Sequence, residues 1–186
     1  MTSSPLTLVA LTPDSTPGPV LETVLALNAV VEEKTSPLTP ARLRQLLGWS
    51  AHGTAAMRDG RVLGFLIGFA AGSDYDSPNY RWFATRLPRF AYIDRVVVAP
   101  EARGRGIARA LYADFAAVAA RHDLGPLVCE VNSRPPNPGS DAFHAALGFA
   151  EIGRARSGTE SDGTAKEVRY LRRAATAGEG FSPPGD

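Results

Sequence analysis

Cysteine occurs once in the 186 residues, at Cys129, and histidine three times, at His52, His122 and His144. A single cysteine excludes an internal disulfide framework and any cysteine-based zinc site, and three scattered histidines argue against a structural metal. Net charge is also scarce: 20 basic residues against 19 acidic ones leave +1. Bulk binding to nucleic acid or to an anionic membrane needs a marked basic excess, so neither is expected. No apolar run approaches the ~20 residues that cross a bilayer. The opening Met1-Thr2-Ser3-Ser4-Pro5 lacks the basic and apolar regions of a secretion signal, which makes a soluble cytoplasmic protein the expectation. What is present suits a globular chain. The apolar fraction is 44%, enough for a sizeable core, and the length suits one domain. That domain is expected over residues 1–173, with a Gly/Pro-rich, disordered tail over 174–186.

The 18 glycines and 15 prolines punctuate the chain into short elements. Leu6 to Leu11 reads as a strand closed by Thr12-Pro13-Asp14. Apolar residues at 20, 21, 24, 25, 27, 30 and 31 have helical spacing. Thr39 followed by Pro40 reads as an N-cap with proline in the first turn, opening a second helix that stops near Gly48. Asp59-Gly60 between two apolar runs, Thr54 to Arg58 and Arg61 to Ala71, signals a type I′ hairpin. Gly72 to Pro88 reads as irregular and rich in aromatics. Phe90 to Val98 is a strand carrying Asp94 and Arg95. Gly106 to Arg121 is a helix with Ile107, Ala110, Leu111, Phe115 and Val118 on one face. A strand (Leu127 to Val131), a Pro-rich loop (Asn132 to Gly139), a helix (Ser140 to Leu147) and two strands (Ala150 to Arg156 and Lys166 to Leu171) complete it. This order implies an α/β or α+β domain with a mixed sheet, in which a parallel pair is attached to antiparallel hairpins.

The most informative stretch is Val96-Val97-Val98-Ala99-Pro100-Glu101-Ala102-Arg103-Gly104-Arg105-Gly106-Ile107-Ala108. A strand runs into a Gly-rich turn and straight into a helix, which exposes backbone N–H groups at the positive end of the helix dipole. Gly104 and Gly106 let backbone approach a phosphate, and Arg103 and Arg105 add charge-assisted contacts. A plain strand–helix turn, or an Arg-Gly stretch touching RNA, is the alternative. Neither a Gly-x-Gly-x-x-Gly fingerprint nor a Gly-Lys-Ser/Thr sequence is present.

Arg103-x-x-Gly106-x-Ala108 after a Val-rich strand and Ala-Pro resembles motif A of the GNAT acetyltransferase superfamily. A second stretch, Asn137-x-x-Ser140-x-x-Phe143-His144-x-x-x-Gly148-Phe149, resembles that family's Asn-x-x-Ala-x-x-Leu/Phe-Tyr-x-x-x-Gly-Phe. The element order agrees with the family from the first strand to about Leu171. The resemblance implies an acyl-CoA N-acyltransferase fold, a mixed sheet of about seven strands with about four helices. It also implies acetyl-coenzyme A as cofactor. Its pyrophosphate would lie on the turn that includes Ile107 and Ala108, and its pantetheine and thioester along the backbone of Val96, Val97 and Val98, near Asn137 and Ser140. Pairing of two copies as a homodimer through C-terminal strands is common in this fold.

His144 departs from the family pattern, which has tyrosine there, commonly the proton donor to the departing thiolate. An imidazolium is a competent acid near neutral pH. The alternative is a helix-face histidine hydrogen-bonded to coenzyme A or to water. An amine acceptor also needs a base, because only roughly 1 in 2,500 lysine-type amines is neutral at pH 7. Strand alternation places Tyr92, Asp94, Val96 and Val98 on one face, so Asp94 is the first candidate and Glu130, on the neighbouring strand, the second. An Asp94–Arg ion pair that merely holds two elements together is the competing reading.

The loop containing Tyr75, Asn79, Tyr80 and Trp82, with Tyr92 of the following strand as a further substrate candidate, mixes large apolar surfaces with polar tips, as a small-ligand wall does, although core packing explains aromatics as often. Glu32 and Glu33 would attract a cationic acceptor, although solvated surface charge is their ordinary reading. Cys129 reads as an inert core thiol. His52 and His122 receive no role. The expected activity is direct transfer of an acetyl group to an amine: a small molecule, an amino acid or a protein N-terminus. A non-catalytic acyl-coenzyme A sensor or scaffold is the rival.

Overall fold

The computed structural model describes residues 4–31, 36–159 and 165–174. Glu32, Glu33 and all but the first residue of the expected tail lie outside them. Seven strands form one sheet: β1 (Thr7–Ala10), β2 (His52–Arg58), β3 (Arg61–Ala70), β4 (Ala91–Val98), β5 (Leu127–Arg134), β6 (Ala150–Thr159) and β7 (Ala165–Arg173), in the order β1-β2-β3-β4-β5-β7-β6. Among the described residues five α-helices accompany them: α1 (Gly18–Val30), α2 (Pro40–Trp49), α3 (Pro78–Ala84), α4 (Ile107–Arg121) and α5 (Pro138–Ala146). No helix among the described residues is long and apolar enough to cross a membrane.

Local chemistry accounts for most boundaries. Thr39 caps α2, its Oγ1 accepting from the Arg42 N–H at 3.1 Å. Asp59 and Gly60 both adopt positive φ, 50° and 73°, as a type I′ turn between β2 and β3 requires. The stretch read as irregular, Gly72 to Pro88, contains α3. Its start carries the same signature as α2: Ser77 caps it and Pro78 occupies the first turn. It is a fifth helix, beside the about four expected. β5 also runs three residues further than expected, to Arg134.

Each face of the sheet carries its own core. On one side Phe65, Phe69 and Tyr92 pack with Leu21 and Val24 of α1, Leu43 and Leu46 of α2, and Phe83 of α3. On the other, Leu66, Ile93 and Leu127 pack against Leu111, Tyr112 and Phe115 of α4. Helix α4 lies so close that a Cβ at Gly68 would come 2.4 Å from the Phe115 ring.

The alternation expected of β4 fails at one residue. β3 pairs Ile67 with Arg95 but Gly68 with Ile93, so Asp94 is an extra residue in β4. Such a bulge reverses which face the following side chains occupy. Tyr92 accordingly lies in the core with Val97, and Val96 packs on the α4 side. Tyr92 thus does not share a face with Val96 and Val98, contrary to simple alternation.

Arg95 turns inward from the bulge. It is 5% exposed, donates through Nε to Asp94 Oδ2 at 2.6 Å, and reaches Asn28 Oδ1 of α1 at 3.1 Å and Ser36 Oγ at 3.0 Å. Asp94 is already compensated, since the Tyr75 hydroxyl donates to its other oxygen. Arg95→Leu would strip the buried carboxylate of its counter-ion, leaving only the Tyr75 hydrogen bond, and should cost about 3–5 kcal/mol in urea denaturation. Adding Asp94→Asn to that variant should recover part of the loss.

Candidate active site

β4 and β5 run parallel but pair at only two positions, Ala91 with Leu127 and Tyr92 with Val128. Beyond them β5 pairs with β7, from Leu127–Arg173 onward, and the edge of β4 is left open. Alternate backbone groups of a strand point to opposite edges, so part of the Ile93–Val98 backbone is available to a ligand. A cavity of about 750 Å³ fills this fork, running from the start of α4 to Tyr75 and Asn79.

The α4 end of the cavity opens on an uncapped helix start. Gly106 is the N-cap of α4 at φ 75°, with no side chain to cap it, and Gly104 has φ 74°. These left-handed conformations favour glycine, and a Cβ at either position would meet nothing within 4 Å. The first N–H groups of a 15-residue helix therefore face open space. Arg103 folds back, its Nε donating to the Val98 carbonyl at 3.4 Å. Val96, Val97, Val98, Arg103, Ile107 and Ala108 all line the cavity, and Arg105 does not.

Glu130 occupies the opposite end, half-buried and open to the cavity. Tyr92 donates to its Oε2 at 2.8 Å and Asn79 Nδ2 to its Oε1 at 3.0 Å, while Tyr170 donates to Asn79 Oδ1 at 3.0 Å. Burial raises its pKa from 4.5 to about 7; the Tyr92 and Asn79 hydrogen bonds pull it down and the charge of Asp94 adds to the rise. A carboxylate held at neutral pH is a poised proton acceptor. Asp94 also lines the cavity, but its oxygens are engaged by Arg95 and Tyr75. Burial, then the Asp94 charge, push the Tyr75 phenol far up, so it remains a donor. Asp94 is thus an ion-pair partner of Arg95, as the competing reading had it, whereas Glu130 holds its proton to about pH 7.

His144 is 5% exposed and lines the cavity from α5. Its Nδ1 lies 2.7 Å from the Ser140 carbonyl oxygen, an acceptor only, so Nδ1 carries the hydrogen. Its Nε2 lies 2.9 Å from the Tyr112 hydroxyl. Burial lowers the His144 pKa, favouring the neutral ring, in which Nε2 accepts from Tyr112. Sequence reading missed Tyr112, which occupies a buried position of the α4 apolar face with nothing local to mark its hydroxyl.

Asn137 caps α5, its Oδ1 accepting from the Ser140 N–H at 3.4 Å, and both residues line the cavity. Of the expected substrate wall, Tyr75 and Asn79 line it too. Tyr80, Trp82 and Tyr92 do not, which corrects that expectation. Tyr80 is buried and donates to the Ala70 carbonyl at 2.8 Å. Trp82 stacks on Tyr170 at 4.0 Å, and Tyr92 is fully buried behind Glu130. Cys129 faces the cavity as a thiol, because burial raises its pKa well above 9.0. Glu33 lies outside the described residues.

Comparison with known proteins gives one consistent likeness. Residues 24–149, more than half of the chain, match the family model described as Acetyltransferase (GNAT) family. No curated protein sequence matches the chain. Among solved structures, the ribosomal-protein-S18-alanine N-acetyltransferase from Escherichia coli is 17% identical with a TM-score of 0.65, covering 95% of this chain and 99% of its own. Ribosomal-protein-alanine N-acetyltransferase from Brucella melitensis is 21% identical, TM-score 0.66, over 90% and 99%. An N-acetyltransferase from Staphylococcus aureus Mu50 is 18% identical, TM-score 0.66, over 93% and 100%. At such identities the likeness is one of fold.

The raised Glu130 pKa has a consequence for stability. The folded chain holds that proton more tightly than the unfolded chain, so stability is greatest below pH 4.5 and falls as pH rises through about 7. The full loss is about 3 kcal/mol, because each tenfold change in proton affinity is worth ~1.4 kcal/mol. Urea denaturation from pH 5 to pH 8 should show Glu130→Gln gaining on the wild type by that order. Equal pH dependence of the two proteins would place the Glu130 proton elsewhere.

Proposed function

The chain belongs to the acetyltransferase (GNAT) family, and we propose that it transfers an acetyl group from acetyl-coenzyme A directly to an amine. The observation that carries this reading is one cavity with an open, glycine-lined helix start at one end and a proton-accepting carboxylate at the other.

The residues present fit the cofactor. The N–H groups at the start of α4 would hold its pyrophosphate, and the open edge of β4 its pantetheine arm. When bound, acetyl-coenzyme A supplies an acetyl thioester, an electrophilic carbonyl with a thiol leaving group. Backbone N–H groups on the open edge of the Val96–Val98 segment would hydrogen-bond to that carbonyl oxygen and hold charge developing there. Glu130 takes the proton of the acceptor amine, directly or through water. Tyr92 and Asn79 fix its carboxylate while burial keeps it half-protonated near neutral pH. Holding both reactants in one fork contributes through orientation. Asp94, paired with Arg95, adds negative potential that favours a cationic acceptor. The acceptor is a small amine, an amino acid or a peptide N-terminus, and the domain extends over residues 1–173.

Release of free thiol from acetyl-coenzyme A in the presence of an amine panel tests the activity; binding without turnover would leave only a sensor. Glu130→Gln should lower kcat about 100- to 10,000-fold, with coenzyme A affinity changed by less than a few fold. Asp94→Asn should lose stability rather than the proton-transfer step. Coenzyme A should stabilise the wild type against heat, by ~2.7 kcal/mol at a hundredfold excess over Kd. Gly106→Val should abolish most of that shift, because its side chain enters the space left open at the helix start. A full shift in Gly106→Val would count against the cradle.

A further inference from the structure

Two buried titratable side chains line the same cavity and have no part in lifting the amine proton: Tyr112 of α4 and His144 of α5. Their hydrogen bond, 2.9 Å from Tyr112 Oη to His144 Nε2, joins the two helices on the cavity floor. The rings pack edge to face with each other and with Phe143 and Phe149. We propose that Tyr112 is the proton donor to the departing thiolate and that His144 positions its hydroxyl and resupplies its proton.

The heavy-atom geometry serves both protonation states of His144. In either state Nδ1–H donates to the Ser140 carbonyl at 2.7 Å. In the neutral ring Nε2 accepts, and the Tyr112 hydrogen points at His144. In the imidazolium Nε2–H donates to Tyr112 Oη, and the Tyr112 hydrogen is released toward the cavity. No side chain needs to move. Protonation of His144 therefore turns the Tyr112 hydroxyl from an occupied donor into an available one.

This step rests on the acetyl-transfer reading above. Tyr112 gives its Oη proton to sulfur as the thioester C–S bond breaks with its electron pair going to sulfur. His144 passes its Nε2 proton to Tyr112 Oη and is left neutral, taking its next proton from solvent. The cationic amine gives up two protons through Glu130 to solvent, one before attack and one as the amide forms, while one proton returns from solvent through His144 and Tyr112 to sulfur, so one proton is released per turnover. Tyr112 is the catalytic group, and His144 acts through it. Burial lowers the His144 pKa, which makes its imidazolium a readier donor, and negative charge developing on sulfur favours the imidazolium. The other charged or titratable groups facing the pair are Asp141 of α5, Arg169 of β7, and Cys129 and Glu130 of β5.

The test uses Tyr112→Phe, Tyr112→Phe/His144→Tyr and Tyr112→Phe/His144→Phe in the full chain. Two readouts are taken: thiol release with the best amine, and the ionisation midpoint of bound coenzyme A thiol, followed by ultraviolet difference absorbance. Tyr112→Phe should lower kcat at least tenfold, leave the coenzyme A Kd within about threefold, and raise the midpoint of the bound thiol. Placing a hydroxyl on α5 through His144→Tyr should restore both readouts, whereas His144→Phe should restore neither. A structural role for the Tyr112 hydroxyl would show no such difference between the two rescues. Should Tyr112→Phe fold poorly, 3-fluorotyrosine at 112 keeps the shape, and the bound-thiol midpoint must still move. Unchanged kcat and midpoint in Tyr112→Phe, or equal values in the two double variants, would overturn the relay alone. A wild type that binds coenzyme A but acetylates no amine would overturn the acetyl-transfer reading and the relay with it.

Discussion

One additional residue in β4 sets the geometry on which the rest depends. Because β3 passes from Arg95 to Ile93 without pairing Asp94, every side chain after the bulge changes face. Tyr92 is left in the core, where its hydroxyl reaches Glu130. Arg95 is driven inward against Asn28 and Ser36, and Val96 comes to rest on the α4 side. Just beyond Tyr92 the pairing of β4 with β5 ends. A regular strand paired along its full length would leave no open edge and no fork between β4 and β5.

The fork separates two chemistries that would interfere at short range. At the α4 end there is an excess of N–H donors and helix dipole, favouring anions. At the other end two carboxylates lie close enough to affect each other, and the fold resolves their repulsion in two ways. Asp94 takes Arg95 as a counter-ion, while Glu130 takes only neutral donors and holds its proton to about pH 7. Environment alone assigns them different tasks.

Much of this was legible in the sequence. Thr39-Pro40, Asp59-Gly60 and the Arg103–Gly106 turn act through neighbours within a few residues, and each appears where local chemistry puts it. Helix α3 is equally legible, since Ser77-Pro78 repeats the Thr39-Pro40 signal, although the aromatics around it have the composition of a ligand wall. The poise of Glu130 was not legible. Its donors lie 38 and 51 residues away in sequence, and the tyrosine behind Asn79 is 91 residues from it. Nor does period-two alternation announce a bulge, which follows from how β3 and β4 meet across the sheet. Tyr112 had the pattern of a core residue and is one; only its contact with His144 gives its hydroxyl a direction.

The segment between β3 and β4 has a consequence for anyone redesigning the cavity. Asn79 lines the space an acceptor would fill and also donates to Glu130, and its orientation is fixed by Tyr170. Tyr75 lines the same space and donates to Asp94. Trp82 anchors the segment on Tyr170 and fits only because residue 153 is glycine, where a Cβ would lie 2.6 Å from the indole. Under the proposed acetyl transfer, acceptor shape and acid–base tuning would be set by the same few side chains. A library randomised at 75 and 79 to broaden the choice of amine would also scatter its members along the pH axis. Screened at one pH, it would discard variants with the desired shape whose working pH had merely moved.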